Sequence, residues 1–118
     1  MAQIDLPDFD DMQKVIEKMS DLSLKIELLK LEIEVAESEI VTTCMTDTRF
    51  FVGGKPPSMS LITSTFARTG LNGELVPKRQ ELAKLESLLE VLRRSYDLMK
   101  SRIDVWRSLQ ANERASVM

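Results

Sequence analysis

The chain has 118 residues with 19 acidic and 16 basic side chains, a formal net charge of −3, one cysteine and no histidine. This length allows one domain at most. Because histidine is the usual general base and the commonest metal ligand, we expect no enzymatic activity, no bound metal and no organic cofactor. The lone Cys44 excludes an internal disulfide. With no apolar leader and no apolar run of about 18 residues, we expect a soluble, cytoplasmic protein.

Residues 1–7 are predicted to form a flexible arm, and residues 8–43 to form helix 1. Asp8, Asp10 and Asp11 at its start complement the positive end of the helix dipole. Apolar residues then recur at alternating spacings of three and four, which is the period of a helix that packs along another helix. This inner stripe of helix 1 comprises Met12, Val15, Met19, Leu22, Ile26, Leu29, Ile33, Ala36 and Ile40.

Helix 1 carries a second apolar stripe on the opposite side. This outer stripe of helix 1 comprises Leu24, Leu28, Leu31 and Val35. A helix with two opposed apolar stripes needs two sets of neighbours, and a second helix of the same chain can cover only one. The outer stripe therefore predicts a homo-oligomer.

Residues 44–75 are predicted to connect the two helices, and they contain all four glycines. Residues 49–52 and 59–66 have the pattern of strands, with a Gly-Gly-Lys-Pro-Pro turn between them. We therefore expect either a long loop or a loop that carries a short β-hairpin.

Helix 2 is predicted over residues 76–111, followed by a tail at 112–118. Its inner stripe comprises Leu82, Leu85, Leu89, Leu92, Tyr96, Met99, Ile103 and Trp106. Beside this stripe, Val91, Leu98 and Val105 recur every seven residues and extend the predicted oligomer interface. The paired inner stripes predict a mainly α fold, in which two long antiparallel helices form a coiled-coil hairpin within a single domain, residues 1–118.

Charge is divided unevenly along the chain. Residues 1–48 contain four lysines and twelve acids, whereas residues 49–118 contain twelve basic residues and seven acids. The second half is where an anionic partner would bind. The alternative is that the acidic and basic helices neutralise each other.

Aromatic and basic residues occur close together in the second half of the chain. Single-stranded nucleic acid needs both, because bases stack on aromatic rings and phosphates contact cations. Candidates in the connection are Arg49, Phe50, Phe51, Lys55, Phe66 and Arg68, and candidates in helix 2 are Arg93, Arg94, Lys100, Arg102 and Arg107. The alternative is that the phenylalanines fill the end of the hairpin or a contact between subunits. The basic residues of helix 2 would then form a solvated face.

The segment Arg49-Phe50-Phe51-Val52-Gly53-Gly54-Lys55 and the stretch 92–109, with Lys100-Ser101-Arg102-Ile103-Asp104-Val105-Trp106-Arg107, resemble the UvsY-type recombination mediator proteins of tailed phages. The resemblance implies a ring-like oligomer that binds single-stranded DNA near Arg49, Phe50, Phe51 and Lys55. It also implies a role in loading a recombinase onto strands coated with a single-strand-binding protein. This chain is more acidic here than that family, at Glu34, Glu37, Glu39 and Asp47.

Two other functions fit the same pattern. Two heptad helices joined by hairpin strands resemble a prefoldin subunit, which holds unfolded clients through exposed apolar residues. A viral structural or scaffold subunit would bind only other copies of itself. All three functions are non-enzymatic and need no membrane.

Overall fold

A computed structural model describes residues 8–117, so the predicted arm at residues 1–7 lies outside the described residues. The described chain is mainly helical, as the sequence predicts. Its elements are α1 (Phe9–Thr46), a 3₁₀ turn (Thr48–Phe50), α2 (Met59–Leu61), a π-helix (Ile62–Phe66), α3 (Ala67–Thr69) and α4 (Leu75–Val117). No helix among residues 8–117 is both long enough and apolar enough to cross a membrane.

Both long helices run beyond the bounds expected from the sequence. In the last turns of α1, the hydroxyls of Thr42, Thr43 and Thr46 donate to backbone carbonyls four residues earlier, which satisfies these side chains without breaking the helix. The helix stops at Asp47, whose backbone is extended. In α4, Pro77 lies in the first turn, where an amide has no partner within the helix. No glycine or proline follows it, so α4 continues into the segment expected as a tail.

The chain divides into two compact units. The connector unit is Leu24–Glu86, and the terminal unit combines the residues up to Ser23 with those from Ser87 onward. Both long helices contribute to each unit. In the connector unit, Lys30 Nζ lies 3.8 Å from Glu86 Oε1, whereas Glu32 Oε1 lies 3.0 Å from Lys78 Nζ. A later position in α1 therefore pairs with an earlier one in α4, so the two helices run antiparallel in this unit.

The connector unit has a core at the point where residues 47–74 fold onto the helix ends. Its buried side chains are Ile40, Cys44, Ile62 and Leu75. The partly buried side chains packed against them are Ala36, Val41, Phe50, Phe66 and Leu71. The connecting segment therefore closes this unit instead of lying loosely outside it.

In the terminal unit, Leu89 of α4 is buried, and most other inner-stripe residues are half-buried. Trp106 is an exception because its side chain is exposed. Among residues 8–117, Trp106 is therefore the least covered member of the inner stripe of α4.

The expected β-hairpin does not form in the described residues. The turn at Gly53 and Gly54 exists, with positive φ at both glycines, but it joins a single antiparallel pair, Val52 and Lys55. Pro56 and Pro57 follow, and because proline has no amide donor they cannot extend the ladder. Residues 59–66 are helical instead. The hydroxyl of Ser58 caps the start of α2 by accepting from the Leu61 amide at 3.2 Å.

Candidate functional site

The outer stripe of α1 is exposed along its whole length in the connector unit. Leu24, Leu28, Leu31 and Val35 keep 61%, 58%, 56% and 51% of their surface accessible, whereas Ile26, Ile33 and Ile40 of the inner stripe keep 4–5%. The sequence prediction of two opposed faces, one covered and one uncovered by the same chain, therefore holds for this segment. The line of the outer stripe also continues through uncharged Ser38, Thr42 and Met45, which lie beyond the four residues predicted above.

Glutamates border the outer stripe on both sides. Helical spacing places Glu27 and Glu34 along one border, and Glu32 and Glu39 with Lys25 along the other. Glu27 contacts Lys30 at 3.9 Å and Glu32 contacts Lys78 at 3.0 Å, both on the surface. The borders therefore carry four acids and one base, so this face is apolar along its centre and acidic at its edges.

A second exposed apolar stripe lies on α4, in the terminal unit. We define the outer stripe of α4 as Leu88, Val91, Leu98, Val105 and Leu109, which keep between 43% and 59% of their surface accessible. Val91, Leu98 and Val105 were predicted from the sequence to lie in an interface, whereas Leu88 and Leu109 were not. Their spacings of three from Val91 and four from Val105 were the signal that could have found them.

The aromatic candidates of the connection occupy different environments. Phe50 is half-buried and packs on the connector core, where its ring meets that of Phe66 edge to face with centroids 5.9 Å apart. These two rings fill the end of the helix pair in the connector unit, as the alternative interpretation of the sequence held. Phe51 is also half-buried but does not belong to this ring pair.

Arg49 lies on the surface, bound to Asp47. Its Nε donates to the Asp47 carboxylate at 3.1 and 3.0 Å, and its Nη2 donates at 2.7 Å. These hydrogen bonds lower the pKa of Asp47 and raise the pKa of Arg49. The positive charge of Arg49 is therefore largely offset where the sequence suggested a phosphate contact. Lys55 and Arg68 in the same unit are exposed and form no ion pair with an acid of residues 8–117.

The basic candidates of α4 belong to the terminal unit. Arg93, Lys100 and Arg102 are exposed, and Arg94 pairs with Glu90 at 3.3 Å. Asp97 and Asp104 follow Arg93 and Lys100 at a spacing of four, which is typical of a mixed, solvated helix face. The structure therefore distributes the nucleic-acid candidates over two units.

The lone cysteine and the carboxylates are side chains of this chain that could act as a nucleophile or hold a metal. Cys44 is buried in the connector core, and burial raises the pKa of its thiol, so it is held as a neutral, inaccessible group. Among residues 8–117, no three cysteine, aspartate or glutamate side chains cluster closely enough to hold a metal ion. Comparison with protein-family models, curated proteins and solved structures finds no match to this chain.

Proposed function

We propose that this protein is a non-enzymatic assembly protein that forms a homo-oligomer through the outer stripe of α1. One observation carries the proposal: four apolar side chains in one line along α1 are each more than half exposed. Removing such a side chain completely from water is worth about 1.5–3 kcal/mol, so about half of that remains to be gained at each position. A stripe of this kind favours association with a matching surface.

The regular spacing of the stripe favours another helix as the partner. Leu24, Leu28 and Leu31 follow the four-and-three alternation that places side chains into the spaces of a facing helix. A surface that accepts many unfolded clients would not need this period. The spacing therefore supports self-assembly over the prefoldin-like function.

Sedimentation velocity over a range of protein concentrations tests the proposal. We expect the native protein to associate at micromolar concentration. The double substitution Leu28→Gln and Leu31→Gln should raise the midpoint concentration of association by about tenfold or more. Phe9→Gln is the matched control because Phe9 is 78% exposed on the same helix but lies outside the stripe. A native protein that stays monomeric would contradict the proposal.

A second proposed function is binding of single-stranded DNA, with loading of a recombinase in the presence of a single-strand-binding protein. Besides the family resemblance, it is supported by Phe51, whose ring is partly accessible next to the Val52–Lys55 turn, and by the exposed ammonium of Lys55. An aromatic face beside an exposed cation suits an unpaired base and its phosphate.

Fluorescence anisotropy with a labelled oligonucleotide tests this second function. If Phe51 stacks on a base, Phe51→Ala should weaken binding by about 1–3 kcal/mol, and affinity should fall steeply as salt is added. Suppression of client aggregation without DNA binding would favour the prefoldin-like function. An oligomer with neither activity would be a structural or scaffold subunit.

A further inference from the structure

We propose that the outer stripe of α1 in one copy packs against the outer stripe of α4 in a second copy. This inference rests on the proposed self-assembly and names the surface that covers the α1 stripe. It follows from the matching period of the two stripes and from the charges on and beside them.

The two stripes have the same period, and the helical line through each can be followed over seven positions, with Ser38, Thr42 and Met45 extending the α1 stripe. In α1, the line runs through positions 24, 28, 31, 35, 38, 42 and 45, and in α4 it runs through 88, 91, 95, 98, 102, 105 and 109. Each line has seven positions with alternating spacings of three and four. At 1.5 Å of rise per residue, each extends about 32 Å. Two such lines can pack side by side as the seam of a coiled coil.

The charges on and beside the stripes are opposite in sign. The α1 stripe has Glu27 and Glu34 on one border and Glu32 and Glu39, with Lys25, on the other. Glu27 and Glu32 already contact Lys30 and Lys78, so Glu34 and Glu39 are the border acids to which no ion pair is assigned within the described residues. The α4 stripe contains a cation, because the exposed Arg102 occupies the position between Leu98 and Val105. Arg94 borders this stripe and pairs with Glu90 at 3.3 Å, whereas Asp97 and Asp104 lie farther round the helix.

Opposite charges favour this pairing over the two like pairings. Packing two α1 stripes together would bring glutamate borders against glutamate borders, and packing two α4 stripes together would place two copies of Arg102 in one apolar seam. Like charges across an interface are unfavourable, and a charge at a seam position selects the partner and its register. Packing α1 against α4 places Arg102 opposite a helix whose stripe is bordered mainly by glutamates.

Charge reversal tests the pairing. The first variant carries Glu34→Lys and Glu39→Lys, and the second carries Arg102→Glu. In the proposed interface each variant alone faces like charges, so we expect the midpoint of its association to rise about tenfold or more. In a mixture, the α1 stripe of the first variant, with lysines at its borders, can pack against the α4 stripe of the second variant, with glutamate at position 102. The α1 stripe of the second variant and the α4 stripe of the first keep their native charges and can also pack together. We therefore expect mixed oligomers to form near native concentrations.

Native mass spectrometry of the mixture and sedimentation of each variant provide the readouts, with circular dichroism to show that the helices are retained. Arg114→Glu is the matched control, because Arg114 is exposed on α4 beyond Leu109, and it should associate normally. An unaffected Arg102→Glu variant would overturn the pairing in favour of α1 against α1. An unaffected glutamate variant would overturn it in favour of α4 against α4.

The proposed self-assembly through the outer stripe of α1 fails if the native protein remains monomeric, or if it associates and the Leu28→Gln, Leu31→Gln variant associates equally well. If the leucine variant weakens association and neither charge variant does, the pairing alone is wrong. The two proposals are therefore separated by the same set of measurements.

Discussion

Arg79 and Glu37 form an ion pair that joins α4 to α1 inside the connector unit. The same guanidinium donates to the backbone carbonyls of Ala67, at 3.0 Å, and Arg68, at the end of α3. A cation suits these carbonyls because the last carbonyls of a helix have no partner within it and carry partial negative charge. One side chain thus connects three segments that are far apart in sequence.

Replacing Arg79 should destabilise the connector unit. Arg79→Met keeps an apolar stem but removes every donor, which leaves two carbonyls and a carboxylate without their partner. A hydrogen bond to a charged group contributes about 1.5–3 kcal/mol. Because the groups around Arg79 are partly solvated, we expect the free energy of unfolding measured in urea to fall by about 1–2 kcal/mol. Lys84→Met is the control, since Lys84 is exposed on the same helix, and a loss as large as that of Arg79→Met would contradict this role.

Gly70 should tolerate no side chain. It ends α3 with φ +89° and ψ 164°, a conformation open essentially only to glycine, and a Cβ there would overlap the carboxyl group of Glu74. We expect Gly70→Ala to lower the free energy of unfolding by about 1–3 kcal/mol. Gly73→Ala is the comparison because its φ is also positive but the space around it is open. Equal losses would show that the contact with Glu74 is unimportant.

Stability should fall in acid through Asp47 and Glu74. Hydrogen bonds from Arg49 lower the pKa of Asp47. The pKa of Glu74 is lowered by hydrogen bonds that its carboxylate accepts from the backbone amides of Glu74, Asn72 and Leu71. In the unfolded chain both groups bind protons more readily, so their contribution is complete only above about pH 5 and is lost as pH falls through the lowered pKa values of the folded state. Urea unfolding at several pH values should show the difference between native protein and Glu74→Gln shrinking below that pH. A difference that grows in acid would refute this assignment.

Phe50 and Phe51 should separate stability from DNA binding. Phe50→Ala removes a ring that packs on the core and on Phe66, so we expect it to destabilise the protein by about 2 kcal/mol or more. Phe51→Ala should lower the free energy of unfolding by less than Phe50→Ala does. If the protein binds DNA, Phe51→Ala should weaken the affinity of the folded protein for DNA more than Phe50→Ala does. Urea unfolding and anisotropy on the same preparations check both. The assignment fails if Phe50→Ala leaves stability unchanged.

The two long helices could be predicted from the sequence because their signal is local. A spacing of three and four identifies a helix and its faces without knowledge of the partner, which is why the contrast between Ile33 and Leu31 was predictable. The outer stripe of α1 followed from the same spacing. The charges of its borders are likewise a property of neighbouring positions on one helix.

Residues 47–74 were not predictable in the same way, because their structure depends on contacts distant in sequence. Residues 59–66 have the composition of a strand, but a helix there brings Ile62 and Phe66 onto the core that Cys44 and Leu75 provide. A phenylalanine near basic residues, such as Phe50, looks the same in the sequence whether its ring stacks on a base or packs in a core. Only the tertiary packing distinguished the two, since the burial of a side chain is decided by the neighbours that the fold brings to it.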